Sequence, residues 1–114
     1  MKLEERAMQL WSVLVLAARS QQLISYSTLA DITNLPNAMG NFLKPVAEYC
    51  DRNKLPQITS IVVNQKDGTP GKYYTGPNAP TDQFESHEFD WLAEIRERPV
   101  TPESFRTQEQ AAHS

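Results

Sequence analysis

The clearest strand signal in this chain is a single run, Ile58-Thr59-Ser60-Ile61-Val62-Val63, and the apolar positions that precede it repeat at helical rather than alternating spacing. One strand cannot form a sheet by itself, so the run needs a returning partner. Asp67-Gly68, extended by Thr69-Pro70-Gly71, is turn chemistry in the right place and predicts a hairpin that comes back through Lys72-Tyr73-Tyr74. The expected class is α+β and mostly helical.

Leu3, Ala7, Leu10, Trp11, Leu14 and Ala18 recur every three or four residues, which predicts an amphipathic helix from about Lys2 to Arg19. After the polar break at Ser20-Gln21-Gln22, the Ser27 hydroxyl is placed to cap a short helix that turns Leu29, Ala30 and Ile32 inward and ends by Asn34-Leu35-Pro36. Asn37 is placed to cap a third helix burying Met39, Phe42, Leu43, Val46, Ala47 and Cys50. Pro45 lies inside that stretch and predicts either a kink or the start of a separate helix. The expected core contains Trp11, Leu14, Leu29, Phe42, Val46, Ile61 and Val63. Past the loop-forming residues 75 to 80, Thr81 is expected to cap a last helical region anchored by Phe84, Phe89, Trp91, Leu92 and Ile95, and two or more short turns fit this spacing better than one straight helix. Residues 1–106 then form one domain, with a core at 20–76 and a C-terminal helical extension at 81–106. Residues 107–114 are polar and expected to fray.

Composition narrows the functional classes. Hydrophobic residues at 39%, charged residues at 22% and a net charge of -3 describe a globular chain, so composition alone does not point to nucleic acid. Cys50 is the single cysteine, which removes internal disulfides and cysteine-based zinc clusters and fits a reducing, cytoplasmic compartment. Its apolar helical position makes it a structural thiol rather than a reactive one. Val13 to Ala18, the longest apolar run, is far short of the roughly 20 residues of a membrane span. Glu4 and Glu5 break the charge pattern of a signal peptide. His87 and His113 lack metal-ligand spacing, and Gly68-Thr69-Pro70-Gly71 lacks the lysine and helix of a phosphate loop. Glu85, Glu88, Asp90 and Glu94 follow a surface helical pattern and read as a solvated face rather than paired catalytic carboxylates. No catalytic residue, metal or small-molecule cofactor is expected.

The order helix, short helix, short helix, strand, turn, strand is that of a helix-turn-helix followed by a β-hairpin wing. Ile24-Ser25-Tyr26-Ser27-Thr28-Leu29-Ala30, then Leu35-Pro36-Asn37-Ala38-Met39-Gly40, then Ile61-Val62-Val63-Asn64 and Asp67-Gly68-Thr69-Pro70-Gly71, over about 50 of the 114 residues, resemble the winged-helix domain of O6-alkylguanine-DNA alkyltransferases and alkyltransferase-like proteins. The resemblance implies a winged-helix fold and DNA binding. It also locates what this chain lacks. The family's alkyl-accepting Pro-Cys-His-Arg motif is replaced by Ile58, Thr59, Ser60 and Ile61, and a neutral hydroxyl without an activating base does not replace a thiolate. The family's nucleotide-extruding arginine, three residues before the glycine, corresponds to Asn37, and Asn41 follows the glycine where another arginine is common, so base flipping is not expected. Stand-alone proteins of this type, with an aromatic-acidic C-terminal extension resembling Phe89-Asp90-Trp91, imply an accessory role in a bacterial or phage context.

Two readings follow from the charge distribution. Residues 37 to 76 carry Lys44, Arg52, Lys54, Lys66 and Lys72 against Glu48, Asp51 and Asp67, a net of +2, whereas residues 81 to 103 carry seven acids against Arg96 and Arg98, a net of -5. In the first reading the chain is a non-catalytic module for duplex DNA, with Asn37 and Asn41 at base edges and Lys44, Lys66 and Lys72 at phosphates. In the second it is a protein-interaction module, an accessory factor or inhibitor, anchored through Phe89 and Trp91. Neither reading involves a membrane.

Overall fold

Helix α1 (Leu3–Arg19) forms where the periodicity predicts it, with Glu4 and Glu5 in its first turn and Arg19 in its last, charges that complement the helix dipole. Its buried stripe of Ala7, Leu10, Trp11, Leu14, Val15 and Ala18 is the axis on which the rest of the chain is assembled. The computed structural model describes residues 3–34, 39–66, 69–70, 74 and 76–106. Among these are four further helices, α2 (Tyr26–Thr33), α3 (Met39–Arg52), α4 (Ala79–Glu88) and α5 (Trp91–Glu97), and two strands, β1 (Ile24–Ser25) and β2 (Val62–Val63). The chain is mostly helical with a small sheet, an α+β arrangement.

The strand expected over 58–63 is reduced to its last two residues. Ile58–Ile61 instead form a 3-10 helix, and β2 pairs parallel with β1 in the register Ile24 to Val62 and Ser25 to Val63. All six side chains are buried, so nothing enforces the inward-outward alternation of a half-buried strand. Side chains replace ladder partners for this backbone: Gln83 Nε2 donates to the Ser60 carbonyl at 2.9 Å and Ser86 Oγ to the Gln57 carbonyl at 3.3 Å. Past β2 the chain does turn back. Asn64 N donates to Thr69 O at 2.8 Å, and Val63 makes an antiparallel bridge with Pro70. The Asp67-Gly68 turn and most of the predicted return strand, Lys72 and Tyr73 included, lie outside the described residues.

The helix starts show how tertiary pairing moves local signals. Ser25, not Ser27, caps α2: its hydroxyl accepts from Thr28 N at 3.1 Å. Ser25 is the last residue of β1 and is already extended, as a capping residue must be, so the helix begins at once. Asn34 ends α2 with φ 58°, its N–H on the Ala30 carbonyl. Ile32, expected inside, is exposed. Asn78 rather than Thr81 caps α4, accepting from Thr81 N at 3.0 Å, and Asp90 caps α5.

Pro45 neither ends nor divides α3, which runs through as one helix of 14 residues. Proline in a helix interior costs about 3 kcal/mol. Burial of Leu43, Val46, Tyr49, Cys50 and Pro45 itself offsets that cost.

The C-terminal segment is not an extension attached to a 20–76 core, because it supplies part of the core. Trp11 of α1 is the hub of an aromatic cluster, with ring centroids 5.0 Å from Tyr49 of α3, 5.4 Å from Trp91 of α5 and 5.8 Å from Phe105 in a closing 3-10 helix (Pro102–Phe105). The Tyr49 and Trp91 contacts are edge-to-face, the geometry aromatic quadrupoles favour. Arg52 fastens this end, its guanidinium donating to the Ser104 and Arg106 carbonyls at 2.7 Å each. Of the expected core, Trp11, Leu14, Leu29, Val46, Ile61 and Val63 are buried and Phe42 is partly buried against the cluster. Phe84, expected as an anchor, is 65% exposed.

Candidate nucleic-acid interface

The first turn of α2 is rich in hydroxyls and contains no acid. Ser25 Oγ donates to Thr28 Oγ1 at 2.9 Å and lies 3.2 Å from Ser27 Oγ. Ser27 and Thr28 are exposed. The β1–β2 pairing carries the turn after β2 to this helix end, and Ser27 Oγ donates to Gln65 Oε1 at 3.3 Å across 38 residues of sequence. Helix N-terminal amides carry partial positive charge, and the exposed Lys66 follows the Gln65 that is bonded to this helix end.

Lys44 is exposed on α3, as the sequence predicts. Asn41 belongs to the first turns of α3, and its side chain, like Asn37 and Lys72, lies outside the described residues. The structure therefore describes Lys44 and Lys66 of the five expected contacts. Sequence reasoning missed Ser27, Thr28 and Gln65. The Ser25-x-Ser27-Thr28 run was a visible signal for the first two, but nothing local links Gln65 to them. Arg52, counted among the cations of this region, is occupied by the backbone carbonyls of residues 104 and 106.

The 3-10 turn Ile58–Ile61 is closed to solvent. Thr59 and Ser60 are buried between α3 and α4. Thr59 Oγ1 donates to Gln57 Oε1 at 2.9 Å, and the Gln57 amide in turn donates to Asp51 Oδ1 and the Ala47 carbonyl. Cys50 is buried as well, and desolvation pushes its thiol up to about 12, which holds it in the protonated, non-nucleophilic form. Among the described residues no group of three or more His, Cys, Asp or Glu side chains could hold a metal ion. None of the described helices is long and apolar enough to cross a membrane.

The acidic surface lies on α4 and α5, where Glu85, Glu88, Asp90 and Glu97 are exposed and Glu94 pairs with Arg98 at 3.4 Å. Trp91 cannot serve as an interface anchor there. It is fully buried, and its indole N–H donates to the Ser86 carbonyl at 2.7 Å. Phe89 is partly buried and packs edge-on against Trp91 at 4.6 Å, which leaves Phe84 as the exposed aromatic on this face. Comparison of the chain with protein-family models, curated proteins and solved structures finds no match.

Proposed function

We propose that this chain is a non-catalytic winged-helix module that binds duplex DNA through the N-terminal end of α2, the exposed side of α3 and the turn after β2. The observation that carries this reading is the Ser27–Gln65 hydrogen bond, which brings a helix N-terminus lined with hydroxyls beside a turn bearing the exposed Lys66. That combination suits a phosphate, which accepts from amides and hydroxyls and attracts a cation. The element order α1–β1–α2–α3–β2 and the return at Pro70 support the winged-helix assignment, and the exposed acids Glu85, Glu88, Asp90 and Glu97 lie in the α4–α5 segment rather than on the elements that carry Lys44 and Lys66. The residues corresponding to the alkyl-acceptor motif are buried and carry no thiol, which supports a binding role of the accessory kind found in bacterial and phage systems.

Binding to random duplex DNA across a salt series tests this directly. The expected result is affinity at low salt that falls steeply as salt rises, through release of counterions from neutralised phosphates. Absence of binding at low salt would sink the proposal. A second reading, a protein-interaction module, is favoured by one observation: Phe84 stands 65% exposed on α4 beside Glu85 and Glu88. Such a face suits a basic, apolar partner surface.

A further inference from the structure

Among the described residues five large hydrophobic side chains are exposed, and three of them, Leu16, Leu23 and Ile32, line one depression between α1 and α2 together with Val13 and Ala17. A second depression of about 340 Å³ continues along α1 and is lined by Arg6, Gln9, Ser12, Val13, Ile32 and Thr33. Val13 and Ile32 belong to both, so this is one contiguous, largely uncharged surface. Apolar area collected in one place, rather than scattered, marks an interaction site.

The face of α1 that borders it carries the half-exposed Glu5 and the exposed Gln9, Ser12, Leu16 and Arg19, spaced four, three, four and three residues apart. Residues at that spacing lie along one face of the helix. Read antiparallel, this face is complementary to itself. About Ser12, Glu5 stands opposite Arg19 and Ser12 opposite Ser12, and Gln9 falls within one residue of Leu16. Among the described residues neither Glu5 nor Arg19 has an ion-pair partner within the chain. The polar members of this face are already satisfied at home: Ser12 Oγ donates to the Met8 carbonyl at 3.1 Å, and Gln9 Oε1 accepts from Arg6 Nη1 at 3.2 Å. Burying them strands no donor of Ser12 and no carbonyl of Gln9.

We propose that two copies of this chain associate through α1, antiparallel about a two-fold axis at Ser12. Leu16 of each copy enters the depression lined by Gln9, Ser12, Val13 and Ile32 of the other, and Glu5 and Arg19 pair at both ends. A small residue at the axis lets the helices approach closely. A symmetric interface needs projection and recess on the same patch, and here Leu16 is the projection and the Gln9–Val13 depression the recess. The proposal is independent of what the α2–α3 surface binds.

Sedimentation equilibrium of the full chain tests it without reference to any ligand. At about 0.5 mM protein roughly three quarters of the chains or more should be paired, giving an average mass well above that of one chain, for a dissociation constant of about 100 µM or tighter. Leu16→Asp should abolish association with far-UV circular dichroism unchanged, because Leu16 is 64% exposed in the single chain. Glu5→Arg and Arg19→Glu should each weaken association about tenfold, since either change sets like charges together at two places. The double variant Glu5→Arg/Arg19→Glu should recover it. A one-chain mass for the unsubstituted protein, or a two-chain mass for Leu16→Asp, would overturn the proposal. Failure of the double variant to recover would overturn the antiparallel register.

Discussion

Replacing Trp91 with Phe separates a core role from a surface role at the residue where sequence and structure disagree most. Phenylalanine keeps a ring against Trp11, now 5.4 Å away, but removes about three non-hydrogen atoms and the indole N–H. The lost ring atoms are worth roughly 1–2 kcal/mol at a site with no solvent exposure. The lost donor matters as much. The Ser86 carbonyl belongs to the last turn of α4, where intrahelical partners run out, and the indole supplies its hydrogen bond at 2.7 Å. Leaving that carbonyl buried and unpaired costs about 1–3 kcal/mol more. A total of about 2–5 kcal/mol, at a slope near 1.5 kcal/mol per molar urea, lowers the unfolding midpoint by roughly 1.3–3.3 M. Far-UV circular dichroism is the suitable signal, because Trp11 changes its surroundings along with the substitution. A midpoint lowered by less than about 0.5 M would refute the reasoning and return Trp91 to the surface as a candidate anchor.

Other perturbations test other parts of the structure. Changing Lys44 and Lys66 together to Glu should weaken binding to all duplex sequences and make the salt slope shallower by about 1.8, the share of two phosphate contacts; an unchanged slope in electrophoretic or fluorescence titrations would place the binding surface elsewhere. Ending the chain after Asp90 should give a protein without a cooperative thermal transition, since Trp91 and Phe105 leave the core with it. The Cys50 thiol should resist a disulfide reagent at pH 8 in the native protein and react at once in urea. Burial lifts the Tyr74 phenol to about 12, aided by the hydrogen bond it donates to Asp82, so the folded state holds that proton more tightly than the unfolded chain does. Its contribution is complete below pH 10 and is lost as pH rises from 10 towards 12, so Tyr74→Phe should flatten that part of the stability profile in urea titrations. Gly76→Ala should disturb the same pair, because a Cβ there would run into both the Tyr74 hydroxyl and the Asp82 carboxylate.

Some of this was legible in the residues alone because its causes are local. A helical repeat over seventeen residues with acids at one end and a base at the other is sufficient to specify α1, and short apolar spacings after residue 81 are sufficient to predict broken helices there. Composition likewise settled that no internal disulfide forms. What the residues could not show was who packs against whom. Ile58–Ile61 have strand propensity, yet Gln83 and Ser86 from α4 bond the Ser60 carbonyl and that of the preceding Gln57, and burial on every side removes the reason to alternate. Pro45 reads as a break, and only the area buried along α3 shows why the helix continues. Trp91 and Phe84 look alike as aromatic anchors of an acidic segment, but one fills the space beside Trp11 and the other faces solvent. Ser27 meets Gln65 only because β1 pairs with β2. Periodicity and capping act within a few residues, whereas burial and the choice of hydrogen-bond partner depend on segments far apart in the chain, so α1 and the broken C-terminal helices were determined by sequence, and the fate of 58–63, the continuity of α3 and the candidate binding surface by tertiary structure.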